Sequence, residues 1–407
     1  MSADHHDRCD VLVVGSGGAG MSATIAARAA GSSVIIATKS ALGASNTGRA
    51  QGGIQAAIGD GDTVESHFAD TFAAGHRDAA PDLARTLVDG GPEAIDWLAS
   101  LGVAFSRDDG GYRVIRCGGA SRERLLQAGE RTGADMVRAL RAAVRASGAE
   151  LRESSPLLAL EPDGDGWRAT LSTKAGELHI VVAATVVLAA GGGLAGEAAA
   201  LGVGSTNHPD ATPEVLNMAL GLGAEGVHLD SWQKHPTGSV WPEALAGYAL
   251  PETTRSYGAT LHAAAGERFV DEMAPRDVVA QGIVDTVESG CGVTAPNGRS
   301  AVWLDTTRID REKGAGFTQE RLAYVYNRYL KAGIDITRER VLVYPVLHYR
   351  NGGLLIDTHG QTTLAGIFAC GEIAGGVHGT NRLMGNSLLD TVVYGRRAGR
   401  AAAERAR

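Results

Sequence analysis

Between Val377 and Leu389 the chain reads VHGTNRLMGNSLL, and it runs on into an apolar, helix-like stretch, LLDTVVYGRRAGRAAA. A helix entrance needs only one Ser, Thr, Asp or Asn to accept a hydrogen bond from the first turn. This entrance carries His378, Asn381, Arg382, Asn386 and Ser387. The planar fork of an arginine pairs bidentately with a carboxylate or phosphate, and the helix start behind it favours negative charge. Anion binding is therefore the chemistry this stretch suggests. Near the other end of the chain, CDVLVVGSGGAG places Gly15-x-Gly17-x-x-Gly20 between an apolar strand and an Ala-rich helix, with a second apolar strand, SSVIIA, soon after. Glycines at that spacing let the backbone approach a pyrophosphate at a helix N-terminus, so the unit reads as a dinucleotide site. Ala37-Thr38-Lys39 stands where a simple NAD site would offer an acid to the ribose.

The elements needed to position these groups are legible as apolar runs. TVVLAAGGG (185–193) and TLAGIFACGE (363–372) read as buried strands ending in glycines, both returning to the nucleotide-binding sheet. The cofactor domain is thus expected to be discontinuous, 1–231 and 351–407. The stretch 232–350 turns more polar and aromatic and is broken by Pro236, Pro242, Pro251, Pro275 and Pro296, as an inserted capping or substrate domain would be. Residues 81–105 and 132–149 have helical spacing, and 151–182 alternates as strands about the turn PDGDG. The fold class is α/β: a discontinuous Rossmann-like cofactor-binding domain with an inserted α+β capping domain.

The 407 residues, 44% apolar and 21% charged, describe an ordinary globular chain. No apolar run reaches the roughly 20 residues that span a bilayer, and MSADHHDRCD has no signal pattern, which makes a cytoplasmic location the expectation. Cys9, Cys117, Cys291 and Cys370 are widely spaced, arguing for free thiols rather than metal ligands or disulfides. A net charge of −8 disfavours nucleic acid as a partner.

These motifs together resemble the flavoprotein family of succinate dehydrogenase and fumarate reductase, which includes L-aspartate oxidase. The stretches that carry the resemblance run from residue 10 to the C-terminus: GSGGAG, SNTGRAQGGIQAAIGDGDTVESH, WQKHPTG, GERFVDEMAPRDVVAQGI, HYRNGGLLID and HGTNRLMGNSLLDTVVYGRRAG. The resemblance implies FAD as cofactor, with a cap closing a small carboxylate against the flavin. It places Gly15, Gly17, Gly18, Gly20, Lys39, Ser45, Asn46, Thr47, Gln51, Gly52, Gly53 and Gly191 around the cofactor. Glu372 would hold cofactor hydroxyls, with Asn386, Ser387 and Leu388 beneath the flavin and pyrophosphate. It assigns Arg382 and His348 to one substrate carboxylate and His235 to the other end. Arg276 would be the acid that protonates one carbon while hydride passes between flavin N5 and its neighbour, resupplied through Glu252 and Arg255. No metal is implied.

Departures from the family pattern shape the rest of the expectation. Asn46 stands where covalent flavoproteins carry the histidine that bonds FAD, so the flavin is expected to be bound without a covalent link. Pro251 replaces a threonine that helps hold the distal carboxylate, while Lys234 and Arg350 add positive charge expected near the pocket. Cys117-Gly-Gly-Ala-Ser replaces the Glu-Gly-Gly-His-Ser common in L-aspartate oxidases, which puts amino-acid oxidation to an imine second to fumarate/succinate-type chemistry. Relatives continue into a helical domain beyond Arg407, which suggests either a compact enzyme or a subunit served by a separate redox protein. An electron-transfer flavoprotein subunit is the third reading.

Overall fold

The computed structural model describes residues 6–109, 111–129 and 131–407. The apolar run at the N-terminus forms the strand His6–Val14, in which Val11 to Val14 are all buried. A strand covered on both faces reads as a continuous apolar stretch instead of an alternating one. Val34–Ala37 pairs with it in parallel on one side and Leu178–Leu188 on the other, and Glu150–Arg152 extends the sheet beyond Val34–Ala37. The outer edge of Leu178–Leu188 is shared. Gly166–Ser172 pairs antiparallel with its first part, while Ile367–Ala369 pairs parallel with Val186–Leu188. The strand read from TLAGIFACGE thus returns, far along the chain, beside the one read from TVVLAAGGG. The hairpin expected at PDGDG is present as Leu157–Asp163 and Gly166–Ser172.

Two helices are packed against this sheet so that their starts converge. Gly18–Ala29 leaves the first strand, and Asn386–Arg405 follows the last one. Their seam is built from small residues: a Cβ at Gly395 would lie 2.7 Å from Ala19 O, and one at Gly399 would lie 2.2 Å from Ala23 O. The two axes can approach only because neither position has a side chain. Both N-termini consequently sit at the carboxyl ends of the parallel strands, where ligands of open α/β sheets bind.

Strands Trp232–Trp241, Val341–Arg350, Ser300–Asp305 and Thr260–His262 form a second, antiparallel sheet. The helix Arg276–Glu288 packs across it through Val279 and Ile283, which join Leu250, Leu261, Val302, Tyr329 and Val343 in a separate apolar cluster. Among the described residues no helix is long and apolar enough to cross a membrane.

Candidate active site

A cavity of about 520 Å³ runs between the first sheet and the second. Its size falls in the range of small-molecule and cofactor sites. Gly15, Gly17 and Gly18 line one end. Gly15 has φ +106°, and a Cβ there would meet Ala189 O at 2.3 Å; Gly20 does not line the cavity, and its Cβ would meet Gly15 O at 1.9 Å. The third glycine therefore serves the close contact between helix and strand. Neither Gly17, before the first helix, nor Gly385, before the last, caps its helix with a side chain, and neither first turn holds an acid. Two helix N-termini thus meet one cavity, which suits an anionic dinucleotide cofactor.

The remaining residues expected at the cofactor mostly converge here. Lys39, Ser45, Asn46, Thr47, Gln51, Gly52, Gly53, Gly191, Glu372, Ser387 and Leu388 all line the cavity. Thr47 Oγ1 accepts from Gly18 N at 3.0 Å, and Lys39 reaches Thr212 and Glu214 at the rim. Asn46 is fully engaged: Nδ2 donates to Asn207 Oδ1 (2.6 Å) and Glu372 Oε2 (3.3 Å), while Oδ1 accepts from His208 N (2.7 Å). Desolvation pushes the Glu372 carboxyl above its ordinary pKa. Asn386 differs from expectation. Its side chain turns into the fold, to His67 Nε2 and Thr71 Oγ1 at 2.9 Å each, so Gly385, Ser387, Leu388 and Thr391 present this helix start to the cavity.

At the other end of the cavity, His235 and His348 stand on neighbouring strands with ring centroids 5.1 Å apart. The ladder pairs Gln233 with Tyr349 and Lys234 with Leu347, leaving His348 as the extra residue of a bulge. Bulges commonly re-aim a side chain beside a site. His235 Nδ1 accepts from Thr237 N at 3.3 Å, which leaves the ring hydrogen on Nε2; His348 Nδ1 bonds Thr206 Oγ1 at 2.7 Å. Desolvation, then the charge of Arg276, holds both rings well below the ordinary histidine pKa, so both are neutral.

Arg382 is 3% exposed and, among the described residues, has no carboxylate within ion-pair distance. It donates to Leu383 O (3.0 Å) and Gln233 Oε1 (3.1 Å), lies 4.4 Å above the Tyr349 ring, and keeps Nε unpartnered. Burial, with the charge of Arg276 adding to it, draws its pKa down to about 10. A buried, unneutralised guanidinium at a cavity wall is costly on its own and suits an anionic ligand.

Facing it, Glu252 Oε2 accepts from Arg276 Nε at 2.8 Å and lies 3.4 Å from Arg255 Nη2, an ion pair without a hydrogen bond, and Oε1 accepts from Gly118 N at 2.8 Å. The three-residue step from Glu252 to Arg255 puts both on one side of a helical turn. Burial alone would raise the Glu252 pKa, but the arginine charges outweigh it and hold the carboxylate ionised; burial lowers the pKa of Arg255. Arg276 and Glu252 line the main cavity, whereas Arg255 lines a second cavity of about 470 Å³ behind it. The three groups therefore stand between two cavities.

Two expectations are corrected. Lys234 is exposed on the opposite strand face from His235. Arg350 is spent on Glu197 Oε1 (2.7 Å), Gly192 O (2.7 Å) and Leu229 O, behind the cavity wall. Neither lines the cavity. Gln233, Thr206, Tyr349 and Asn207 were not anticipated. For Gln233 a signal existed, since it lies two positions before His235 and so shares its strand face. No group of three or more potential ligands for a metal occurs among the described residues, and the four cysteines are free.

The chain matches the FAD binding domain family over residues 10–388. It is 38% identical over 405 residues to L-aspartate oxidase of Streptomyces coelicolor, covering 95% of this chain and 67% of that protein. It is 36% identical over 411 residues to one subunit of the fumarate reductase (CoM/CoB) of Methanothermobacter marburgensis, covering 98% and 73%. A mutated quinol fumarate reductase FrdA from E. coli superposes with a TM-score of 0.90 at 30% identity, over 98% of this chain and 71% of that one. Fold, cradle and relatives define an FAD-dependent oxidoreductase. The chain belongs to the succinate dehydrogenase/fumarate reductase flavoprotein family, which includes L-aspartate oxidase.

Proposed function

We propose that this enzyme interconverts a carbon–carbon single and double bond next to a carboxylate, as in the fumarate/succinate pair. The observation that carries the reading is the pairing of an unneutralised Arg382 with the Arg276–Glu252–Arg255 chain across one cavity. Arg382 binds one substrate carboxylate through its free guanidinium edge, and His348 supports it. His235 offers its Nε2 hydrogen to the other end, where Pro251 supplies no hydroxyl. The chemistry that FAD would supply when held in the cavity is hydride exchange with one substrate carbon. Arg276 holds a proton at its guanidinium for the adjacent carbon, and Glu252 and Arg255 restore that proton from the second cavity. Arginine is a weak acid, with a pKa above about 12. Transfer is feasible only toward a strongly basic, carbanion-like carbon formed in the transition state, which is what proton uptake beside a carboxylate provides.

The engagement of Asn46 by three partners, and its inability to form a histidyl link, supports FAD held without a covalent bond. Oxidation of an amino acid such as L-aspartate is the second reading, favoured by the L-aspartate oxidase relative. Against it, the segment beside Glu252 offers Cys117, Gly118, Gly119, Ala120 and Ser121, and Glu252 itself is committed to two arginines, so neither offers a free carboxylate to a substrate ammonium. The fumarate reductase relative is one subunit of its enzyme, which supports an electron partner separate from this chain. Mixing the flavin-loaded enzyme with succinate or L-aspartate, and the reduced enzyme with fumarate, tests the reading by the oxidised-flavin absorbance. Response to the succinate/fumarate pair supports it; reduction by L-aspartate alone replaces it with the second.

A further inference from the structure

Two guanidinium groups in one cavity wall repel each other, and each disfavours the other's charge. The side chain between them is Gln233, 3% exposed and set behind the cavity lining. Its Oε1 accepts from Arg276 Nη1 and from Arg382 Nη2, both at 3.1 Å. Its Nε2 donates to Asn381 Oδ1 (2.8 Å) and to Arg382 O (2.7 Å). Both amide hydrogens are thereby used, and the oxygen is left facing the two arginines. The partner amide is locked in turn: Asn381 Nδ2 donates to Ala74 O (2.9 Å) and Asp277 Oδ1 (2.8 Å). The orientation of one neutral carbonyl is thus traced back to the helix Val64–Ala74 and to the helix that begins with Arg276.

We propose that Gln233 is the positioning residue that sets the spacing and aim of the carboxylate-binding Arg382 and the proton-donating Arg276, and that its neutrality reserves both charges for a dianionic substrate. The inference rests on the reading of the site given above. A carboxylate at this position would hydrogen-bond to the same two groups but also neutralise them, and the wall facing the substrate would lose a unit of positive charge. An amide holds the arginines without competing with the substrate for them. A purely apolar side chain would leave the two guanidiniums without their shared acceptor, and Arg276 would lose its tie to Arg382 while keeping Glu252.

The test uses the FAD-loaded protein and the inert dicarboxylate malonate, followed by perturbation of the oxidised-flavin spectrum, with single-turnover oxidation of the reduced enzyme by fumarate and by a dye. If the parent shows no malonate response and no fumarate reaction, the carboxylate reading itself fails, independently of Gln233. Given a responsive parent, Gln233→Glu is expected to bind malonate about 30-fold more weakly or worse. Gln233→Leu should weaken binding by about 10-fold while slowing oxidation by fumarate more than binding. FAD content and dye oxidation should match the parent in both. Should Gln233→Glu fail to retain FAD, Gln233→Leu and the shorter amide Gln233→Asn carry the test, the latter expected to fall between Leu and the parent. Parent-like malonate binding and fumarate rates in the variants that retain FAD overturn the proposal. So does a parallel loss of FAD, dye oxidation and malonate binding in all three, which would make Gln233 a residue of the fold alone.

Discussion

Arg382 keeps a guanidinium at the cavity wall with only two neutral acceptors, and on the function proposed above a carboxylate binds there. Arg382→Ala is expected to weaken carboxylate binding by about 2–4 kcal/mol, the range for an unmade buried charge-assisted bond. His348→Ala should lose about 1–2 kcal/mol, because the imidazole it removes is neutral. Spectral titration of the flavin measures both, and FAD content should hardly change. A second expectation concerns Asn46: acid or heat precipitation should release yellow FAD into the supernatant, and colour retained by the polypeptide would contradict it. Arg382 was legible in the sequence because HGTNR holds more polar groups than a helix entrance uses. Gln233 was legible only as a residue sharing the strand face of His235, because its contacts lie in what stands either side of it in space. Lys234 and Arg350 were misplaced for a related reason: sequence neighbours of a site residue on a strand point away from it, and Arg350 found its acid, Glu197, in a distant segment.

The pairing of the first and last helices brings two helix N-termini, and their partial positive charge, to one cavity. Gly399→Val would press side-chain atoms into the backbone at Ala23. A loss of about 1–3 kcal/mol in stability is expected from such overpacking, with weaker FAD retention as the helix starts separate. Thermal unfolding with and without added FAD checks it, and an unchanged melting temperature would show that the seam has slack. The strand–glycine–helix unit and the returning strands were legible because apolar runs and glycines are local signals. The antiparallel pairing of Trp232–Trp241 with Val341–Arg350 was not, since it joins distant segments and its register is shifted by the bulge at His348. We place the limits of the capping unit at 232 and 350, where those two strands lead out of the cofactor-binding part and back.

Taken across the protein, folding buries more histidine than it can charge. Desolvation holds His67 down at about 4, and it also lowers His235, His348 and His378. A depressed folded pKa contributes stability that is present above the unfolded value of about 6.5 and is lost as pH falls toward the folded one. Each group can remove up to about 1.4 kcal/mol per pH unit below that point. Glu372, raised by desolvation, acts in the opposite sense, but it is one group against four. The melting temperature of the FAD-free protein should therefore fall from pH 7 to pH 5, and a flat profile would contradict these assignments. The proposed delivery of the proton by Arg276 is tested by single-turnover oxidation of the reduced Arg276→Gln variant. Fumarate is expected to oxidise this variant at least about 1,000-fold more slowly than the parent, the scale on which general acid catalysis operates, while a simple dye oxidises both alike. Oxidation of the variant by fumarate at the parent's rate would contradict the account and return the site to amino-acid oxidation or electron transfer.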